Sequence, residues 1–142
     1  MSARDLLAHA GWYPGRSVEI AGMVSDLEQA GYAVVPTAGQ VLREFGGLTI
    51  SSEDRTKSMW IDGHEAARRC DSDWCAAYEA AMGQALTPVG EYSHMTIMVD
   101  GSGGFWGGYD DLYGYQGADI FELVEDVLIG PSSLLLNRST KR

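Results

Sequence analysis

The fold of this chain is decided by the stretch Met95-Thr96-Ile97-Met98-Val99-Asp100-Gly101-Ser102-Gly103-Gly104-Phe105-Trp106-Gly107. Its first six residues alternate between two sets, Met95, Ile97 and Val99 against Thr96, Met98 and Asp100, as the two faces of a β-strand do. Residues 100–104 follow as a glycine-rich turn, and glycine tolerates the positive φ angles that tight hairpins need. Phe105 and Trp106 then begin the returning strand. The stretch therefore predicts a β-hairpin.

The chain before this hairpin has mostly helical periodicity. Glycines that follow the apolar stripes at 11, 31 and 46–47 supply helix ends. Thr37 and Gln40 have the spacing of a capping box that would start the third helix. The predicted helices are 5–10, 18–30, 37–45 and, in two pieces broken near 71–73, 62–83. The predicted strands in this part are 48–50 and 58–61.

The chain after the hairpin continues with a polar-aromatic strand or loop at 109–115 and a final helix at about 118–128. Strands and helices do not alternate regularly, which favours an α+β fold with a central, largely antiparallel sheet flanked by helices. Length and composition favour one domain, residues 1–130. The polar, basic tail 131–142 is expected to be mobile.

Charge is distributed unevenly along the sequence. Residues 59–129 contain thirteen acids and two bases, which leaves −11, while the rest has eight bases and seven acids, and the total is −10. Ten of the fourteen aromatic residues lie in the same acidic part. Such a surface suits a basic protein partner and repels nucleic acid, whose binding requires Lys and Arg. Acidity that serves solubility alone is the competing interpretation.

The composition also indicates where the protein works. No run of eighteen apolar residues is present, which predicts no membrane span, and polar breaks near the N-terminus argue against a signal peptide. We therefore expect a cytoplasmic protein. Cys70 and Cys75 lie five residues apart in a helical stretch, which is poor geometry for a disulfide and is not a metal-ligand spacing. Two reduced, partly buried thiols are expected.

Motifs for catalysis or cofactor binding are absent from the sequence. His9, His64 and His94 belong to no metal motif, and the glycine-rich turn lacks the Gly-Lys-Ser/Thr ending of a phosphate loop. We predict no enzyme, no catalytic residue, no cofactor and no metal site. Asp100, Asp110 and Asp111 could instead cluster near the hairpin. They are read as solvated turn residues or partner contacts, with a metal or acid–base site as the remaining alternative.

The best candidate surface is residues 105–115, because alternation cannot bury all of its rings on one side of a sheet. Tyr and Trp are favoured at interface centres, and neighbouring carboxylates can bind Arg. A ring cluster packed beneath the final helix is the alternative; Phe105 is expected in the core and the tyrosines at the surface. The predicted partner contacts are Asp100, Trp106, Tyr109, Asp110, Asp111, Tyr113 and Tyr115.

Three stretches, 11–16, 42–48 and 86–91, followed by the Ile/Val-rich strand with Asp-x-x-Gly and an aromatic strand, carry a resemblance. In order and spacing the chain resembles the third immunity family of the SUKH superfamily over residues 11–130. The resemblance implies a SUKH-like α+β fold and an immunity protein of bacterial polymorphic toxin systems. Such proteins neutralise a cognate toxin, often a nuclease, and are not known for catalysis or a cofactor. No contact residue carries over by motif.

The motif residues also have structural explanations. Trp12 and Tyr13 would anchor the N-terminal turn, and Phe45 would be the last apolar residue of its helix. Pro88 would mark a strand entry or edge, since proline cannot donate to the sheet ladder.

Three functions follow from these observations. The leading hypothesis is an immunity protein that occludes the basic active-site face of a cognate toxin with carboxylates and rings. The alternatives are a regulatory protein-interaction module of the same superfamily and a small metal-dependent hydrolase that uses the hairpin aspartates.

Overall fold

The computed structural model describes residues 1–70, 72–109 and 112–130, and the expected tail at 131–142 lies outside them. The described strands form one six-stranded sheet in which each strand pairs, antiparallel, with the next along the chain. Together with the helices this confirms the predicted α+β class. The strands are β1 (Leu48–Ser51), β2 (Ser58–Ile61), β3 (Leu86–Tyr92), β4 (Met95–Asp100), β5 (Phe105–Tyr109) and β6 (Leu112–Gly117).

Helices precede the sheet, interrupt it and follow it. Two of them, α4 and α5, are inserted between β2 and β3, as the predicted two-piece helical segment required. The last helix continues directly into a π-helical turn, Glu125–Ile129. None of the helices in the described ranges is both long and apolar enough to cross a bilayer. The helices are α1 (Ala3–Ala10), α2 (Ala21–Gln29), α3 (Pro36–Phe45), α4 (Gly63–Arg69), α5 (Ser72–Met82) and α6 (Ile120–Val124).

The helix ends show which local signals decided the structure. Gly11 closes α1 with φ 114°, a conformation that glycine adopts without strain. The predicted capping box at Thr37 is wrong, because α3 already starts at Pro36, whose fixed φ suits the first helical turn. The Thr37 hydroxyl instead donates to the backbone carbonyl of Asp100 at 2.6 Å and ties α3 to the sheet.

The β4–β5 hairpin lies at the centre of the core. Met98 pairs with Trp106 and Val99 with Phe105, and all four side chains are buried. Neighbouring residues of a strand point to opposite faces, so both faces of this hairpin are covered. The turn at 100–104 has the predicted glycine chemistry, with Gly103 at φ 90°.

Strand β3 contains a proline at a position where it pairs with β4 but not with β2. Pro88 pairs with Met98 of β4, and a register shift follows between Pro88 and Gly90. On its other side β2 pairs with β3 only from Gly90 to Tyr92. Pro88 therefore lies beyond the end of β2, where its missing N–H breaks no strand pairing, and the sequence expectation of an edge position holds locally.

The N-terminal motif is a scaffold. The Trp12 ring stacks on Phe45 at 6.0 Å, meets Phe121 edge-on at 5.8 Å and donates its indole N–H to Glu44 at 2.9 Å. The expected anchoring role of Trp12 is confirmed. The same expectation for Tyr13 is wrong, because its side chain is 59% exposed.

Candidate functional site

Two of the seven predicted contact residues lie in the interior. Asp100 and Trp106 are each 0% exposed, so the prediction that they touch a partner is wrong. One carboxylate oxygen of Asp100 accepts from the backbone N–H groups of Ser102 (2.8 Å) and Gly104 (3.0 Å). The other accepts from the indole N–H of Trp106 at 2.8 Å. The buried side chains of Asp100 and Trp106 therefore hold the turn of the hairpin on its core side.

A sequence signal for this burial did exist. An aspartate two residues before an available backbone N–H often folds its carboxylate back onto the turn, and Asp-Gly-Ser-Gly-Gly has that form. The oxygens of such a carboxylate are already hydrogen-bonded within the turn, so it is a poor candidate for binding a partner or a metal. The engaged Asp100 is therefore a poor participant in the hydrolase alternative, which used the aspartates near the hairpin. No group of three His, Cys, Asp or Glu side chains suited to a metal occurs among the residues that the structure describes.

The three predicted tyrosines lie toward the surface. Tyr109 ends β5 with 43% exposure, and Tyr113 and Tyr115 on β6 are half-buried. Tyr113 pairs with Gly108 and Tyr115 pairs with Trp106, so both tyrosines share one face of the sheet. Asp110 and Asp111, which join β5 to β6 in the sequence, lie outside the described residues. Tyr109, Tyr113 and Tyr115 with Asp110 and Asp111 are called the tyrosine edge below.

Helix α5 supports this edge with two further rings. Trp74 and Tyr78 have centroids 4.4 Å apart, and Tyr78 lies 5.5 Å from Tyr113. The Tyr78 hydroxyl donates to the backbone carbonyl of Leu112 at 2.9 Å. Gly108 makes this packing possible, since a Cβ there would collide with the Tyr78 ring. Sequence reasoning missed these contacts, although a glycine facing a tyrosine across paired strands could have indicated a ring lying over it.

A groove of about 460 Å³ opens beside the edge, between the α4–α5 junction and the sheet. The rings of Trp74, His94 and Tyr109 line it, and His94 and Tyr109 have centroids 6.3 Å apart. Arg69 and Glu91 form an ion pair in its wall at 3.5 Å. Glu91 is the single acid among the described lining residues and Arg69 pairs with it, so the described lining is aromatic and polar with little net charge.

The cysteines beside this groove are unsuited to nucleophilic chemistry. Both are free thiols, as the sequence predicted. Burial raises the pKa of Cys70 to about 11 and that of Cys75 to about 12. A thiol that stays protonated at neutral pH is a weak nucleophile and a weak metal ligand.

Several acids of the charged half serve the fold locally. Asp62 and Asp119 accept backbone N–H bonds at the starts of α4 and α6. Glu79 accepts the backbone N–H of Leu86 at 2.8 Å. A carboxylate at a helix start satisfies an unpaired N–H and complements the helix dipole. These carboxylates therefore hold local structure in place, and Asp119 does so while it remains exposed.

Fold and site together define a small α+β domain that presents tyrosines at the edge of a six-stranded antiparallel sheet. The model of the SUKH-3 immunity protein family matches residues 2–130, and the chain belongs to this family. Family membership indicates an immunity protein of toxin systems. No curated protein and no solved structure matches the chain.

Proposed function

We propose that this protein binds a cognate toxin inside the producing cell and neutralises it by covering the toxin's basic active-site face with the tyrosine edge. The family supports the immunity role. The observation that carries the choice of surface is the exposed ring of Tyr109, which directly precedes two carboxylates in the sequence. Two further, half-buried tyrosines lie on the neighbouring strand β6. The partner is a protein and no cofactor takes part.

The edge is suited to binding because its rings rest on a rigid base. Tyr113 packs against Tyr78, and Tyr115 meets the buried Trp106 edge-on at 5.3 Å. A side chain that is already fixed loses little conformational entropy when a partner covers it. Tyrosine also offers a large apolar contact area with a polar tip, which is why it is frequent in energetically dominant contacts.

Asp110 and Asp111 supply the charge in this proposal. Carboxylates form short, charge-assisted hydrogen bonds with Arg and Lys, the residues that line a nuclease active site where phosphate binds. Two adjacent acids would take the place of substrate phosphates, and the rings would fill the space of bases or sugars. The overall charge of −10 also steers a basic protein toward the chain and disfavours nucleic acid.

Co-expression with the toxin encoded beside it tests this function. We expect cells that carry the toxin to survive only with the immunity protein, and the two proteins to co-purify. Asp110→Asn and Asp111→Asn should slow association and weaken its dependence on salt if these acids steer the encounter. Glu28→Gln, which removes an exposed acid of α2, is the matched control. Survival without any complex would contradict neutralisation by direct binding.

A further inference from the structure

Another groove, of about 790 Å³, lies between the start of α1, strand β6 and the π-helical turn. Gln116 lines it from the sheet, Phe121 from α6 and Glu125 from the π-helical turn. Neither the tyrosines of the edge nor the groove beside them contribute to it. The geometry of its lining residues differs from ordinary surface structure in two places.

The first irregularity is a β-bulge at Gln116. Phe105 pairs with Gly117 and Trp106 with Tyr115, so Gln116 is the extra residue of β6. Bulges of this kind redirect one side chain out of the regular alternation and are frequent beside binding sites. The second is the π-helical turn itself, a rare arrangement that is frequent at functional sites.

The side-chain amide nitrogen of Gln116 is buried and has no hydrogen-bond partner among the described residues. Its side chain is 6% exposed, and its Nε2 has no hydrogen-bond partner within the described residues. A buried donor without an acceptor destabilises a fold, so such groups are rare in native proteins. Gln116 lines the groove, so its amide N–H is the nearest unsatisfied donor for an acceptor that enters.

The described lining of the groove is negative. Among the described residues, Glu122, Glu125 and Asp126 line it against one cation, Arg4, whose guanidinium lies 5.0 Å from the Trp12 ring centroid. Glu122 already accepts the backbone N–H of Ala118 at 2.9 Å. Glu125 is exposed, and its side chain makes no hydrogen bond or ion pair in the part of the chain that the structure describes. The ligand must therefore bring positive charge as well as a hydrogen-bond acceptor.

We propose that this groove binds an extended, basic segment of a partner protein. A backbone carbonyl of that segment accepts from Gln116, a Lys or Arg side chain meets Glu125, and an apolar neighbour packs on Phe121. Charge complementarity selects this occupant, because phosphate ligands are repelled and a second copy of a chain with charge −10 is repelled as well. The inference does not depend on the tyrosine edge.

Calorimetric titration with the peptide Ac-Gly-Leu-Arg-Leu-Arg-Gly-NH2 tests the proposal, with Gln in place of both Arg residues as the control peptide. We expect Gln116→Leu to raise Tm by about 3 °C, because it removes an unpaired buried donor, and to weaken peptide binding roughly 10-fold. Glu125→Gln should weaken binding by about 5-fold and leave Tm unchanged. Glu28→Gln, an exposed acid on α2, should change neither.

Other outcomes overturn the proposal. Unchanged peptide affinity in Glu125→Gln would show that the groove is not the site. Because Glu125 is exposed, this variant is expected to fold even if Gln116→Leu does not. Binding that appears only when the chain is ended at Gly130 would make residues 131–142, with their three bases, the occupant. Self-association that Glu125→Gln abolishes would make a second copy the occupant. Equal binding of both peptides would show that the positive charge is not recognised.

Discussion

Replacing Asp100 by Asn tests the network that closes the central hairpin. The carboxylate accepts from two backbone N–H groups through one oxygen and from the Trp106 indole through the other. An amide has nearly the same shape, but only one of its two ends accepts a hydrogen bond. Its NH₂ group must therefore face either the backbone donors or the indole, and donors will oppose each other.

The expected loss of stability follows from the number of hydrogen bonds that Asp100→Asn disrupts. A hydrogen bond to a charged group contributes about 1.5–3 kcal/mol, and a buried donor left without a partner costs about 1–3 kcal/mol. We expect Asp100→Asn to lower the free energy of unfolding by about 3 kcal/mol, out of roughly 5–15 kcal/mol for a typical domain. Trp106→Phe removes one bond and leaves a small void, and should cost about 2–3 kcal/mol.

The double variant separates this network from unrelated damage. In the Trp106→Phe background the amide no longer opposes an indole N–H, so Asp100→Asn should cost about 1–2 kcal/mol less than it does alone. Urea unfolding followed by far-UV circular dichroism measures all four proteins without relying on Trp106 fluorescence. A loss below about 0.5 kcal/mol for Asp100→Asn, or additive costs in the double variant, would refute the reasoning.

Gly108→Ala should destabilise the fold by about 1–3 kcal/mol in urea unfolding, because its methyl collides with the tyrosine ring of α5. Cys70 and Cys75 should react with iodoacetamide far more slowly at pH 8 in the folded protein than in urea, by mass spectrometry, because burial raises both thiol pKa values. The pKa of His64 is raised by its 2.5 Å hydrogen bond to Asp26 and should fall in Asp26→Asn, by NMR titration. That pair stabilises the fold below about pH 6.5, and the contribution is lost as pH rises through the raised pKa.

Each of these expectations has a control or a contradicting result. Gly101→Ala is the matched control for Gly108→Ala, since a Cβ at Gly101 meets no atom within 4 Å. Equal alkylation rates in the folded and unfolded protein would contradict the burial of the thiols. A His64 pKa that does not respond to Asp26→Asn would show that the contact is not formed in solution.

Local signals in the sequence were enough to place most elements. Alternation at 95–100 and the glycines that follow predicted the β4–β5 hairpin, because strand period and turn chemistry act over a few residues. Glycine likewise predicted the ends of α1 and α3. The start of α2 was predicted three residues too early, at Val18 instead of Ala21, since an apolar stripe gives the helix face and only weakly its first residue.

Contacts between distant segments could not be read in this way. The position of α5 over β5 depends on Gly108 and Tyr78, thirty residues apart, and neither has a local pattern that names the other. The exposure of Tyr13 and the burial of Trp106 were also not predicted, because Tyr and Trp side chains occur both in cores and at surfaces. The acid-rich composition suggested one charged face, yet it did not show that Asp100 is buried in its turn or that Asp62, Glu79 and Asp119 bind backbone N–H groups.

The affinity of the chain for its cognate toxin, with and without the tyrosine edge, tests the central claim most directly. The variant to measure combines Tyr109→Ala, Asp110→Asn and Asp111→Asn, and Tyr13→Ala, which removes an even more exposed ring, is the control. Calorimetry at moderate salt should show the triple variant binding at least about 100-fold more weakly, while the control binds like the unaltered chain. Equal affinity of the triple variant and the unaltered chain would contradict the account.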